Sequence, residues 1–249
     1  MRIVVHEESF PERAAYDTAV SRALLSAVGE GRSPAALRLY APGDAVAFSL
    51  LDRVQPGFHE AVAAARAQGF EAMLRLAGGR AAVFTRATLG FAWCVPDAEP
   101  RRTIAARFDE MADGVAAALR RLGIDARVGA VPGEYCPGDH SVNARGKVKL
   151  MGVGQRIVRG AAHVGGVIVL GDSARIRDVL MPVYRHMGFA WDPGTVGSIE
   201  DEIGGVERAD LIEALKGELG RRHDLTSSPL DPGLLSAAEL RASEHRIPG

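Results

Sequence analysis

The sequence predicts an α+β fold, a mixed and largely antiparallel β-sheet flanked by helices. Three observations carry this. Strand-like segments cluster beside one another instead of alternating regularly with helices, which argues against a doubly wound parallel sheet. The apolar stretches 147–158 and 162–170 are separated by Arg159-Gly160, the pattern of a β-hairpin. Residues 103–122 place Ile104, Phe108, Met111, Val115, Leu119 and Leu122 on one helical face.

Taken in order, residues 2–7 read as a strand, and 11–28 as a helix with Ala15, Ala19, Ala23, Leu24 and Ala27 in register. Gly29 and Gly31 stop that helix. Residues 37–41 and 46–50 read as two strands around a Pro42-Gly43-Asp44 turn. A short amphipathic helix spans 58–67 and ends at Gly69. Strands follow at 72–76 and 81–84 around a tight Ala77-Gly78-Gly79-Arg80 loop, then an apolar strand at 88–95 closed by Pro96. After the helix at 103–122, residues 126–131 lead into a loop around Cys136, and the hairpin follows. Helices are expected at 173–186 and 208–222, separated by a loop with Asp192, Pro193 and Gly194. The chain is read as a single domain over 1–249, with 226–249 a loop-like tail marked by Pro229, Pro232 and Pro248.

Composition bounds the function. With 47% hydrophobic and 24% charged residues the chain is ordinary globular, and 249 residues can bury a sizeable core. A formal charge of −1 supplies no basic field for nucleic acid, so no nucleic-acid partner is expected. No apolar run is long enough for a bilayer and no basic-then-apolar leader precedes the first strand, so neither a membrane partner nor secretion is expected. Two cysteines are too few for a disulfide framework, which points to a reduced, cytoplasmic protein.

The two cysteines differ. Cys94 lies in Phe91-Ala92-Trp93-Cys94-Val95 and reads as core. Cys136 lies in Gly133-Glu134-Tyr135-Cys136-Pro137-Gly138-Asp139, a turn that presents a side chain instead of packing it. Lys149 follows on a strand that becomes apolar at once, in the same register as Lys147, so its ammonium is expected to face a cleft. A thiol and a lysine beside exposed backbone N–H groups suit acyl transfer through a thioester, and an incidental loop cysteine is the plain alternative. Arg75, Gly78, Gly79 and Arg80 form a second element: paired glycines let backbone N–H groups approach a ligand, and either arginine can pair with a phosphate or carboxylate. A hairpin turn with solvated arginines is the alternative there. His163 stands on an apolar strand as a proton shuttle or a satisfied core histidine. A zinc site from Cys136, His140 and His163 has the wrong spacing for paired ligands, and no metal is expected. Phosphate-loop, dinucleotide, nucleophile-elbow and zinc-protease motifs are absent.

Together these segments resemble the lipoate/octanoate–protein ligase and transferase family, which shares a catalytic fold with biotin protein ligases. The resemblance rests on Arg75 to Val83, on Lys149-Leu150-Met151-Gly152-Val153-Gly154-Gln155, and on Val196-Gly197-Ser198-Ile199. Tyr135-Cys136-Pro137-Gly138-Asp139 is similar to the segment of the cysteine-dependent octanoyl and lipoyl transferases, particularly the amidotransferase branch. Ala77 replaces the family's usual Ser or Thr, and Leu39-Tyr40-Ala41-Pro42 lacks its usual tryptophan. The resemblance implies a biotin/lipoate ligase-like catalytic domain and an acyltransferase. Cys136 would carry the octanoyl or lipoyl group as a thioester and pass it to a lysine of a lipoyl carrier domain. Lys149 would polarise the acyl carbonyl, and N–H groups near Gly78-Gly79 or Gly152 would hold the oxyanion. Arg75, Arg80, Asp139 and His163 would contact substrate, and Val83, Val153 and Val164 would wall the acyl tunnel. Donor or acceptor would be a glycine cleavage H protein, a 2-oxoacid dehydrogenase E2 subunit or an acyl carrier protein. A transferase needs no cofactor. The alternatives are an ATP- and Mg²⁺-dependent lipoate ligase, in which Cys136 is incidental, and a non-catalytic acyl- or carrier-binding module.

Overall fold

The computed structural model describes residues 1–248. In chain order it contains β1 (Arg2–His6), α1 (Ala14–Gly29), β2 (Ala35–Tyr40), β3 (Ala45–Phe48), α2 (Phe58–Ala67), β4 (Glu71–Leu74), β5 (Ala82–Phe84), β6 (Thr88–Pro96) and α3 (Ile104–Arg121). There follow β7 (Ala126–Val128), β8 (Val142–Ala144), β9 (Val148–Val158), β10 (Ala161–Val169), α4 (Ser173–His186), α5 (Ile199–Ile203), α6 (Arg208–Leu219), β11 (Asp224–Ser227) and α7 (Pro232–Arg241). Eight strands form one sheet in the order β11-β1-β2-β6-β10-β9-β8-β7, and three form a second in the order β4-β3-β5. In the large sheet only β1 pairs in parallel, with β11 and β2; every other pairing is antiparallel.

Alternation along the strands sorts the core. One face of the large sheet carries Leu37, Leu39, Phe91, Trp93, Val164 and Ile168, packed against Met111, Val115 and Leu119 of α3 and Leu211 and Leu215 of α6. The other face carries Ala36, Cys94 and Ala161 against Leu24, Leu25 and Val28 of α1. On that face Arg38 is fully buried; its Nη1 donates to the Asp17 carbonyl at 2.8 Å and its Nη2 pairs with the Asp17 carboxylate, so the charge is compensated. The small sheet packs Val46, Phe48, Leu74 and Val83 against α2 and α4.

Two regions, residues 35–84 and the tail, depart from the sequence expectation. The stretches around Pro42-Gly43-Asp44 do not form a hairpin: β2 belongs to the large sheet and β3 to the small one. Likewise β4 and β5 flank β3 instead of pairing with each other, so Gly78-Gly79 is a projecting crossover and not a hairpin turn. The tail is the second. The sequence predicts a loop over 226–249; among the described residues, which end at 248, β11 continues the large sheet beside β1, and α7 packs on α1 through Leu234 and Ala238. Pro232 reads as a breaker but sits in the first turn of α7, where its missing N–H costs nothing, and the Asp231 carboxylate caps the N–H groups of Gly233 and Leu234.

Candidate active site

The loop between β7 and β8 presents Cys136. Its backbone is left-handed, φ +43°, a conformation disfavoured for a residue with a β-carbon by roughly 1–2 kcal/mol. Three neighbours hold it there: Tyr184, Glu134 and Lys149. The Cys136 N–H donates to the Tyr184 hydroxyl at 2.9 Å, and that hydroxyl donates to the Ala81 carbonyl at 2.9 Å. Burial raises the Tyr184 pKa well above 10, so the hydroxyl stays protonated and available as a donor. The Glu134 carboxylate lies inside the loop and accepts from the N–H groups of Val131 and Gly138, each at 3.1 Å, and from the Ser141 hydroxyl at 2.6 Å. Lys149 comes up from β9, 1% exposed, and donates to Glu134 Oε1 at 3.1 Å, the Tyr135 carbonyl at 3.1 Å and the Cys136 carbonyl at 2.8 Å. Its three donors are thus engaged in holding the loop.

The second element meets the sulfur. The Arg80 N–H donates to Cys136 Sγ at 3.1 Å, and Arg75 Nη1, which donates to the Arg80 carbonyl at 2.9 Å, lies 3.9 Å from the same sulfur. Gly79 has φ +106°, and a β-carbon there would fall 2.9 Å from Sγ. Gly154 of β9 makes the complementary space, since a β-carbon there would stand 3.1 Å from Ala77 Cβ, Arg75 Nη2 and the Gly78 carbonyl. Glycines on both sides therefore let the Arg75–Arg80 loop lie between β9 and the cysteine.

Two hollows adjoin Cys136 and Arg75. An open cleft of about 760 Å³ is lined by Gly78, Gly79, Cys136, Asp139, Val153 and Phe108, among others. Behind Arg75 a small cavity of about 50 Å³ is walled by Tyr40, Met73, Phe84, Phe91 and His163. His163 is buried and neutral there; burial first, and then the charge of Arg75, lowers its pKa to about 4. Its Nδ1 has no hydrogen-bond partner.

The structure therefore brings Cys136, Lys149, Arg75, Gly79 and Arg80 together and places Gly78, Asp139 and Val153 on the cleft. Gly152 sits beside Lys149 Cε, where a β-carbon would be 3.1 Å away, so it makes room for the lysine. Val83 and Val164 line neither hollow: Val83 is packed in the core of the small sheet and Val164 in that of the large one. Lys147 is exposed in the turn before β9 and does not share the environment of Lys149. His140 stacks on Phe108 and pairs with Asp109 at 3.0 Å, away from His163. Among the described residues no three His, Cys, Asp or Glu side chains converge as a metal site. Sequence reasoning missed Glu134 and Tyr184. The first reads as a solvated loop charge, and the second lies 48 residues from the cysteine with no motif to mark it.

A cysteine held over a buried lysine, on a mixed sheet flanked by helices, defines a cysteine-centred site on a lipoate ligase-like scaffold. Ta0514 of T. acidophilum, solved with bound lipoic acid, superposes with TM-score 0.80 at 18% identity, covering 98% of this chain and 96% of that one. A lipoate-protein ligase A bound with ATP gives 0.79 at 17% identity, covering 98% and 95%. Both are likenesses of fold. The model of the lipoyl protein ligase A/B catalytic domain matches residues 13–220, and the chain belongs to that family. It is 29% identical to an octanoyl-[GcvH]:protein N-octanoyltransferase of Geobacillus kaustophilus over 68% of this chain, and that match spans 60% of the relative's length. It is also 29% identical to the protein so named in Anoxybacillus flavithermus, over 96% of this chain and 88% of the relative. A lipoyl-[GcvH]:protein N-lipoyltransferase of Listeria monocytogenes is 23% identical over 72% and 67%. No helix among the described residues is long and apolar enough to cross a membrane.

Proposed function

We propose that the chain moves an octanoyl or lipoyl group through a Cys136 thioester onto the lysine of a lipoyl carrier domain. The observation that carries this reading is the cradle around Sγ: a left-handed cysteine whose sulfur takes the Arg80 N–H at 3.1 Å in space that only a glycine at 79 leaves. The names of the relatives, which specify transfer from an acylated GcvH to protein, support it.

The thiolate of Cys136 attacks the carbonyl carbon of the donor's acyl group. The bond from that carbon to the donor atom breaks, the donor leaves with the proton that the Cys136 thiol gave up, and an acyl-cysteine remains. The ε-amine of the acceptor lysine then attacks the thioester, the carbon–sulfur bond breaks, and the amide forms with Cys136 regenerated. Once acylated, the sulfur is a poorer acceptor, which frees the Arg80 N–H and Arg75 guanidinium for the developing oxyanion. Lys149 acts beneath the loop, fixing the Cys136 carbonyl. The acyl tail enters the cavity behind Arg75 and widens it. Asp139 and Val153 face the carrier's arm in the cleft.

The acyl group arrives already bonded to its donor, so the overall change is an acyl exchange that forms no acyl-adenylate, and the reaction needs no nucleotide and no metal. Suitable carriers are glycine cleavage H proteins, E2 lipoyl domains and acyl carrier protein, in a reducing cytoplasm where Cys94 and Cys136 stay free. The test is intact-mass measurement after incubation with octanoylated carriers without ATP. A single octanoyl adduct on the wild type, absent from Cys136→Ala, is expected. Transfer that appears only with ATP and survives Cys136→Ala would favour the adenylating ligase instead.

A further inference from the structure

The turn after β3, residues 49–57, is rigid, apolar and turned outward. Ser49 and Asp52 cap each other: the Ser49 N–H donates to Asp52 Oδ2 at 2.8 Å and the Asp52 N–H to Ser49 Oγ at 3.1 Å. The Gln55 side chain closes the turn on the Leu51 carbonyl at 3.1 Å. With its backbone fixed, the turn exposes Leu50 at 59%, Leu51 at 59% and Val54 at 76%. Three of the nine large exposed apolar side chains among the described residues thus lie within five positions. Single exposed apolar residues are ordinary, whereas a cluster on a rigid turn marks a contact surface.

Cations predominate around it, with Glu60 of α2 the nearest exposed carboxylate in sequence. The carboxylate of the turn, Asp52, is fully buried, and Arg53 is exposed. Asp52 Oδ1 points inward to Arg80 Nη1 at 3.9 Å, and the Arg80 guanidinium lies 4.0 Å over the Phe189 ring. At Gly57 the turn runs against the His186 carbonyl, so the exposed Arg185 and His186 at the end of α4 extend the rim. The patch reaches Arg80, whose backbone N–H donates to Cys136 Sγ. Arg80 is thus the link between the patch and the candidate active site.

We infer that Leu50, Leu51 and Val54, rimmed by Arg53, Arg80 and Arg185, form the docking surface for the acyl-bearing carrier, a small domain presenting carboxylates around an apolar spot. The inference rests on the acyl-transfer reading above. A carrier seated there has its acyl arm beside the sulfur, and the arginine rim favours its encounter through opposite charge. The chain's net charge of −1 gives no such attraction at long range, so recognition is local.

The experiment compares two octanoyl donors on the full chain, with intact mass reading Cys136 acylation over time. One is an octanoylated GcvH protein; the other is octanoyl-N-acetylcysteamine, a small thioester with no protein surface. The triple variant Leu50→Ser/Leu51→Ser/Val54→Ser and the single variant Arg53→Glu are measured beside wild type. The expected result is a loss of about tenfold or more in kcat/KM with the carrier, carried by KM, and a rate within twofold of wild type with the small thioester. Equal losses with both donors would make the turn a structural support and overturn the assignment, as would no loss with the carrier. A variant that dissociates an oligomer of the wild type would assign the patch to a second copy and overturn it too. Wild type that neither donor acylates would sink the transfer reading itself and the docking surface with it.

Discussion

A β-carbon at Gly79 would stand 2.9 Å from the Cys136 sulfur, so the crossover between β4 and β5 is shaped around that sulfur. Gly79→Ala should therefore strike chemistry harder than stability. The left-handed backbone costs alanine about 1–2 kcal/mol, a fall of a few degrees in Tm for a chain of this size. The new methyl also pushes Sγ away from the Arg80 N–H. The rate of Cys136 acylation by a small thioester should drop about tenfold or more, while circular dichroism stays that of wild type. An unchanged rate would show that the cradle is not needed.

The buried pair Glu134–Lys149 organises the loop from within. Removing one member leaves the other charge unpaired in the core, a change that typically costs about 3–5 kcal/mol. Glu134→Leu and Lys149→Met should each lower the urea midpoint sharply. The double variant should lose less than the sum, because each single change strands a charge that the double one removes. Strict additivity would mean that the pair is not coupled.

Tyr184 links the cysteine backbone to the small sheet. Tyr184→Phe removes the acceptor for the Cys136 N–H and the donor to the Ala81 carbonyl. Groups orphaned in this way cost about 1–3 kcal/mol each. The variant should fold, be less stable, and acylate Cys136 more slowly because the left-handed backbone is less firmly held. Alkylation of Cys136 by iodoacetamide, measured beside stability, checks this; wild-type kinetics would leave the tyrosine with a packing role alone.

Much of this was legible in the sequence, and the gaps have physical causes. The helix at 173–186 and the hairpin at Arg159-Gly160 are visible because their periodicity is local. Cys136, Lys149 and the Arg75–Arg80 loop are visible because residue type and backbone punctuation coincide there. The assignment of β2 and β3 to different sheets is not visible, since Pro42-Gly43 reads alike as a hairpin turn or a crossing. Helix α7 was hidden by Pro232, which serves as a breaker inside a helix and as a starter at its first turn. The engagement of Lys149 by carbonyls was hidden because those acceptors are backbone and carry no residue signature.

His163 sets a limb of the stability curve. Its pKa is lowered from 6.5 to about 4 in the folded protein, chiefly by burial. The unfolded chain therefore takes up a proton below pH 6.5 that the folded one refuses until about pH 4. The neutral histidine costs no stability above pH 6.5, and stability falls as pH drops from 6.5 to 4, by a total on the order of 3 kcal/mol. His163→Gln, which cannot titrate, should flatten this limb. His245 is also lowered by burial and keeps its own contribution, so the limb should shrink without vanishing. Urea midpoints at pH 7.5, 6 and 5 for wild type and variant provide the measurement. Parallel slopes in the two proteins would show that His163 is already protonated when folded or is not the group responsible.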